Sequence, residues 1–252
     1  MSALRVLSYN LHKGFTPGNR RFVLAQMRAA IRAQQPDLVL LQEVQDQHAG
    51  HAVRHAEWPA EGQFAYLAEH LWPHRAYGRN AVYADGHHGN AVLSRFPILA
   101  VENLDISTNR FESRGLLHAQ VAVPGLATPL HVLCCHLNLL HRGRLAQVEV
   151  IARRLAAAVP VDHALVLAGD FNDWSARLSH RLEQVLALTD AHRRVHGRLA
   201  RTFPARMPLF PLDRIYVRGL HPTASAVLRG PPWSTLSDHL ALQVECSATA
   251  PP

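Results

Sequence analysis

Lysine is almost missing from this chain: of 26 basic lysine and arginine side chains, only Lys13 is a lysine. Long apolar runs are missing too. No stretch approaches the roughly eighteen residues that a membrane-spanning helix needs, although 48% of the 252 residues are hydrophobic. The opening residues, MSALRVLSY, pass straight into a strand-like alternation without an apolar core or cleavage site, so no secretory signal is expected. Cysteine is scarce and odd in number: Cys134, Cys135 and Cys246 read as reduced core residues, and the expected compartment is the cytoplasm. Neither a Cys pair at zinc-site spacing nor an HExxH helix is present, which disfavours structural and protease-type zinc. The absence of a nucleophilic-serine elbow and of a Walker loop disfavours acyl transfer and nucleotide-driven motors. Repeats, low-complexity segments and linkers are absent as well.

What is present is a basic balance, a formal net charge of +7 against 19 acidic residues. Such an excess suits a polyanion, whether nucleic acid or an anionic membrane surface. Its nearly pure arginine content is equally well read as codon bias. Arg193, Arg194, Arg198, Arg201 and Arg206 are scattered in sequence and form no discrete basic tail.

Val6–Tyr9 reads as a first strand. Helical spacing of Val23, Met27, Ala30 and Ile31 predicts a helix over Arg20–Gln35 that Pro36 ends. The runs at Asp37–Leu41, Ala91–Leu93, His131–Cys135 and Ala164–Ala168 are short and apolar, as strands buried on both faces should be. Leu117–Val123 alternates like a half-exposed strand. Arg144–Ala158 and Arg181–Val195 read as helices, and strands are expected at Arg214–Val217 and Leu240–Val244. This order does not fit a doubly wound parallel sheet. It predicts an α/β (α+β) sandwich of two packed mixed sheets with helices outside. The halves before and after about residue 130 look alike in layout without a sequence repeat. One domain is expected over 1–252, with its core at about 4–246 and a disordered tail at 247–252.

Polar residues gather where these strands stop: Asn10 in SYNLHKG, Gln42-Glu43 in LLQEV, His136-Leu137-Asn138 in CCHLN, Asp170-Phe171-Asn172-Asp173 in LAGDFND, Asp213 in PLDRIYV, and Ser237-Asp238-His239 in LSDHLAL. Each alone is an ordinary turn. Together they bring carboxylates, amides and histidines to strand ends, where ligand sites of sheet proteins lie. Carboxylate and amide oxygens are hard donors suited to Mg²⁺ or Mn²⁺. Hydrolysis of a phosphate ester needs a cation to neutralise oxygens, a base for the water and donors for developing charge. This inventory offers a candidate for each.

The ordered motifs, from about Leu7 to Leu242, resemble the endonuclease/exonuclease/phosphatase superfamily, and SYNLHKGF and YGRNAVYADGHHGNAVLSRFPI resemble a small bacterial branch of it. The resemblance implies a four-layer, DNase-like sandwich. It also implies that Glu43 is the principal metal ligand and that Asn10 beside it contacts metal or phosphate. Asp170 would orient or deprotonate the attacking water, and Asn172 would hold that water or a phosphate oxygen. His239 would donate to a phosphate oxygen, with Asp238 fixing its tautomer and touching a second metal. Asp213 would hydrogen-bond a histidine, His136 foremost, which then serves the phosphate or the leaving oxygen. His12 stands where apurinic endonucleases carry an acidic ligand, and His136 where they carry tyrosine; both argue against a dedicated abasic-site enzyme.

Candidate substrate contacts are His12, Asn90, Arg114, Asn138 and Trp174. Asn90 has an equal reading as a turn residue beside Gly89, and Arg114 as a surface ion pair. His87-His88 reads first as a solvated loop; Trp58, Trp72 and Trp233 read as core. The leading expectation is a monomeric metal-dependent nuclease acting on DNA or RNA. A phospholipid or inositide headgroup hydrolase at the inner membrane surface is the alternative, and a non-catalytic polyanion-binding module the remote one.

Overall fold

In the computed structural model, which describes residues 3–248, the chain begins with strand β1 (Leu4–Asn10), whose Val6 and Leu7 point to opposite faces and are both buried. Both faces are covered because each sheet is sandwiched, so the strand is apolar without strict alternation. Helix α1 (Leu24–Ala33) crosses back to β2 (Leu38–His48), which lies parallel to β1. Short helices α2 (Ala49–Arg54) and α3 (Gln63–Ala68) precede the hairpin β3 (His74–Tyr83) and β4 (Gly86–Ser94). Next come β5 (Ile98–Asp105), β6 (Gly115–Val121) and β7 (Leu130–His136). Helix α4 (His141–Ala158) then leads to β8 (Leu165–Asp170), parallel to β7. The chain continues through α5 (Leu178–Val185), β9 (Thr189–Asp190) and α6 (Ala191–His196). It closes with β10 (Asp213–Arg218), β11 (Leu220–Val227), α7 (Trp233–Leu236) and β12 (Leu242–Ala248).

The strands form two mixed six-stranded sheets, ordered β11-β12-β1-β2-β4-β3 and β5-β6-β7-β8-β10-β9. Position by position the two orders carry the same pattern of directions, with one parallel pair (β1/β2, β7/β8) third and fourth in each. This is the likeness of layout visible in the sequence. The inner faces meet through Val6, Leu40, Val92, Val132, Val166 and Val244. Outside, Met27 and Ile31 of α1 cover Leu7 and Val39, while Val148 and Ile151 of α4 cover Leu133 and Leu167. Each such side chain contributes roughly 1.5–3 kcal/mol by leaving water. The expected four-layer sandwich is therefore the fold. No helix among the described residues is long and apolar enough to cross a membrane.

Several boundaries differ from expectation. The helix expected at Arg181–Val195 is broken into α5 and α6, because Thr189–Asp190 pairs with β10 and the Asp190 carboxylate caps α6 by accepting from Arg193 N at 2.9 Å. The first helix starts at Leu24, not Arg20. His87 and His88 lie within β4 rather than in a solvated loop. Strand β12 runs through Ala248, paired to Leu220, so Ser247 and Ala248 are ordered sheet; the rest of the expected tail, 249–252, lies outside the described residues.

A relay of three histidines crosses the second sheet. His118 Nε2 lies 2.9 Å from His131 Nδ1, and His131 Nε2 lies 3.0 Å from His163 Nδ1. Burial first, then the neighbouring histidine and arginine charges, push both His118 and His131 down to about 4 from the ordinary 6.5. The unfolded chain takes up protons that the folded one refuses, so their contribution is complete above pH 6.5 and lost as pH falls towards 4. The urea midpoint is therefore expected to drop across that window, and more shallowly in His131→Gln. Equal pH slopes for both proteins would contradict this account.

Candidate active site

Register delivers the polar strand ends to one place. Asn10 pairs with Gln42 across the first parallel pair, His136 with Asp170 across the second, and Asp213 sits opposite Asp170. The β2/β4 pairing slips between Leu41 and Val44, and Glu43 there has φ 54°. Such an irregularity re-aims a side chain. Gln42 stays buried and donates to Leu40 O at 3.1 Å, while Glu43 faces the cleft. His12 (φ 45°), Lys13 (φ 59°) and Asn172 (φ 48°) share this left-handed backbone, which non-glycine residues keep only where the surroundings enforce it.

In GDFN each letter has its own task. A Cβ on Gly169 would meet Cys135 O at 1.8 Å, and its φ is 147°. Gly169→Ala must therefore part β7 from β8; it is expected to cost at least ~2 kcal/mol, read as a lowered urea midpoint, and an unchanged midpoint would contradict it. Phe171 is buried in the outer core. Asp170 and Asn172 face the cleft, and Asn172 N donates to Asp170 Oδ1 at 2.9 Å.

The cleft, about 340 Å³, is lined by Glu43, His136, Asp170, Asn172, Asp238 and His239 among others. Asn10 Nδ2 donates to Asp170 Oδ2 at 3.1 Å and to Glu43 Oε1 at 3.3 Å. His136 Nε2 and His239 Nε2 lie 3.5 and 3.7 Å from that same Asp170 Oδ2. His239 Nδ1 donates to Asp213 Oδ2 at 2.8 Å. Ser237 Oγ donates to Asn10 O at 2.8 Å and accepts from His239 N at 3.2 Å, fastening the SDH turn to β1.

Charge separates the two histidines. Burial opposes the charged form of His239, but Asp213 and Asp170 outweigh it and raise the group well above its ordinary value. His136 is held far below its own, by burial and then by Arg114, His239, His88 and Lys13. Burial pushes the Asp170 carboxyl up, against the pull of His239. Burial acts the same way on Glu43, yet Lys13, His12, His239 and the Asn10 hydrogen bond outweigh it and leave its carboxyl below the usual range.

Two pairings expected by resemblance differ in the structure. Asp213 fixes His239, not His136. Asp238 lies 3.3 Å from His12 Nδ1 rather than holding the His239 ring. The sequence does not contain the β8/β10 register that puts Asp213 beside His239. Arg114 lines the cleft, its Nε 3.8 Å from Glu112, and Trp174 lies at the rim. Asn90 and Asn138 do not line it. Buried Asn90 donates to Gly115 O at 2.9 Å and Cys134 O at 3.3 Å, tying one sheet to the other. Asn138 shapes its own turn by accepting from Leu140 N at 2.7 Å. Lys13, His88, Leu139, Phe203 and Leu212 also line the cleft. The lone lysine within SYNLHKG was a signal for the first; Phe203, far from any motif, had none.

For a divalent cation, the ionised Glu43 carboxylate beside Asn10 is the fitting hard donor, with Asp238 also facing the cleft. Asp170, Asp213 and His239 also approach one another within 4.8 Å. That trio is engaged otherwise: His239 Nδ1 is bonded to Asp213 and its Nε2 faces Asp170, an arrangement that favours the charged ring over a metal-binding one.

Two mixed sheets presenting acids, amides and histidines at one end have the architecture of the DNase-like phosphoesterases. The chain belongs to the Endonuclease/Exonuclease/phosphatase family, which it matches over residues 7–239. Superfamily members hydrolyse phosphoester bonds and generally depend on a divalent metal. The chain is 43% identical over 243 residues to YbhP, an uncharacterized protein of Escherichia coli strain K12, covering 96% of each chain. Its structure is similar to that of an endonuclease/exonuclease/phosphatase from Beutenbergia cavernae (TM-score 0.82, 23% identity, 99% of this chain and 72% of that one). It is also similar to D. rerio TDP2 complexed with a single-strand DNA product (0.71, 21%, 98% and 100%) and to a Bacteroides thetaiotaomicron mannosyl-6-phosphatase (0.72, 18%, 97% and 99%).

Proposed function

We propose that this chain is a nuclease, a single-domain phosphodiesterase that uses Mg²⁺ or Mn²⁺ to hydrolyse DNA or RNA. One observation carries the reading: Glu43 and His239, the latter anchored from behind by Asp213, both border the pocket into which Asp170 opens. Glu43, with Asn10 and Asp238 as neighbours, would hold the cation, which would supply charge neutralisation at the phosphate. Asp170, held by Asn172 N and Asn10 Nδ2, accepts the proton of the in-line water. His239 donates from Nε2 to a non-bridging oxygen, its charge secured by Asp213. Neutral His136, its Nε2 3.5 Å from Asp170 Oδ2, orients the Asp170 carboxylate. Lys13 and Arg114 attract the anionic substrate, and the aromatic rim at Trp174 suits a base. The TDP2 relative was captured with a DNA product, which supports nucleic acid as the substrate class.

One observation favours a lipid headgroup instead: Leu139 and Leu140 stand beside the cleft 52% and 68% exposed. Purified protein with Mg²⁺ or Mn²⁺ is therefore tested against plasmid DNA, RNA, abasic duplex, sphingomyelin, cardiolipin and inositol phosphates. Cleavage of DNA or RNA, lost in Asp170→Ala and His239→Ala, is expected. Cleavage of lipid alone overturns the substrate, and undiminished cleavage by both variants overturns the mechanism.

A further inference from the structure

A cavity of about 740 Å³, larger than the catalytic cleft, lies apart from it. It lies between α6 with its following loop, the 208–211 segment and the end of β11, and its wall carries Arg198, Arg201, Arg229 and His196 without a single carboxylate. Some exposed arginines elsewhere are matched by a carboxylate, Arg181 by Glu149 and Arg193 by Glu183. Among the described residues, none of Arg198, Arg201 and Arg229 forms an ion pair. Arg198 and Arg201 thus converge with Arg229, about thirty residues further along, on one positive groove without a carboxylate, which attracts phosphate.

The groove shares a wall with the active site. The segment 201–212 offers Phe203 and Leu212 to the cleft, and Arg201, Leu209 and Pro211 to the groove. This wall is fixed to the catalytic turn: Leu240 N donates to Thr202 O at 2.9 Å, Ala205 N to Asp238 O at 2.7 Å, and Asp213 N to Thr202 Oγ1 at 3.2 Å. On its crest Phe210, 37% exposed, meets Trp174 edge to face at 5.2 Å. Aromatic faces between a hydrolytic cleft and a basic groove are what an unpaired nucleic-acid strand needs, because its bases are free to stack while its phosphates track the cations.

Building on the nuclease reading, we propose that the Arg198–Arg201–Arg229 groove is a second subsite that binds the phosphate backbone of a single strand whose scissile bond lies in the cleft. The test measures binding apart from chemistry, with a fluorescein-labelled oligothymidine of about 20 nucleotides, longer than the ~4–16 that such sites occupy. Asp170→Asn is the background, and Arg198→Gln, Arg201→Gln and Arg229→Gln are combined. The charge-matched control carries Arg5→Gln, Arg75→Gln and Arg218→Gln, at the far ends of the strands. Three lost single-strand phosphate contacts imply a salt slope smaller by about 2 and an affinity lower by ~10²-fold near 0.1 M salt. That result in the groove variant, with the control near the parent, supports the subsite. Equal losses in both variants, or none in either, overturn it and leave the nuclease reading standing. A parent that ignores the oligonucleotide but binds phosphatidylglycerol vesicles through these arginines overturns both. Groove-dependent binding by a wild type that cleaves no nucleic acid supports the subsite and overturns only the nuclease reading.

Discussion

Asp170→Asn is expected to lower kcat by about 10³-fold or more while leaving the protein folded, since a positioned general base contributes roughly 10²–10⁴-fold. Asparagine keeps the shape of the side chain and can still accept from Asn172 N through its oxygen. It cannot take a proton from water, and it removes a negative charge near His136, His239 and the donating Asn10 amide, all within 3.1 to 3.7 Å of Asp170 Oδ2. The check is turnover of a cleaved oligonucleotide alongside a urea midpoint. His136→Gln is the comparison: it leaves the base in place and is expected to lose far less. If Asp170→Asn keeps more than about a tenth of wild-type kcat, the base has been misassigned.

The second large effect is on stability. Asp173→Ala is expected to destabilise by about 3 kcal/mol, because it takes from the buried Arg214 guanidinium its ion-paired carboxylate and leaves only Asp190 to offset the charge. Both side chains are wholly buried. Arg214 Nη2 lies 3.4 Å from Asp173 Oδ2, with further bonds to Tyr216 Oη at 3.0 Å and Pro211 O at 3.0 Å. Asp173 also accepts from Leu178 N at 2.9 Å, where α5 begins. For a chain of this size each kcal/mol shifts Tm by roughly 2–4 °C, so a fall of about 10 °C is expected. Asp173→Ala with Arg214→Met removes both charges and is expected to recover most of the loss. A double variant as unstable as the single one would show that the orphaned charge is not the cause.

Asp173 also shows where sequence reading ends. In LAGDFND three polar residues look interchangeable, yet two enter the cleft and the third holds the loop beneath it. Asn90 and Asn138 are similar: amides beside strand ends that serve the sandwich and the turn rather than substrate. The strands buried on both faces were legible because a covered sheet demands short apolar runs, as in DLVLL and ALVLA. Edge strands β3, β5 and β11 were not, since their exposed residues carry little pattern; β5 is exposed along nearly all its length. The motif residues assembled because they end neighbouring strands. Which carboxylate serves which histidine depends on register and on the SDH turn, neither of which is written in composition or spacing. The arginine groove was invisible for the same reason, since only the fold brings Arg229 to Arg198 and Arg201, about thirty positions earlier in sequence.

The central claim, that a divalent cation at Glu43 serves a base at Asp170, is tested most directly by titrating Mg²⁺ into chelator-treated enzyme with a labelled oligonucleotide. Cleavage by wild type is predicted to be absent without the cation and to saturate as it is added. Glu43→Gln is predicted to require far more Mg²⁺ to reach any rate, with its fold unchanged. Cation-independent cleavage, or the same Mg²⁺ dependence in Glu43→Gln as in wild type, would contradict the account.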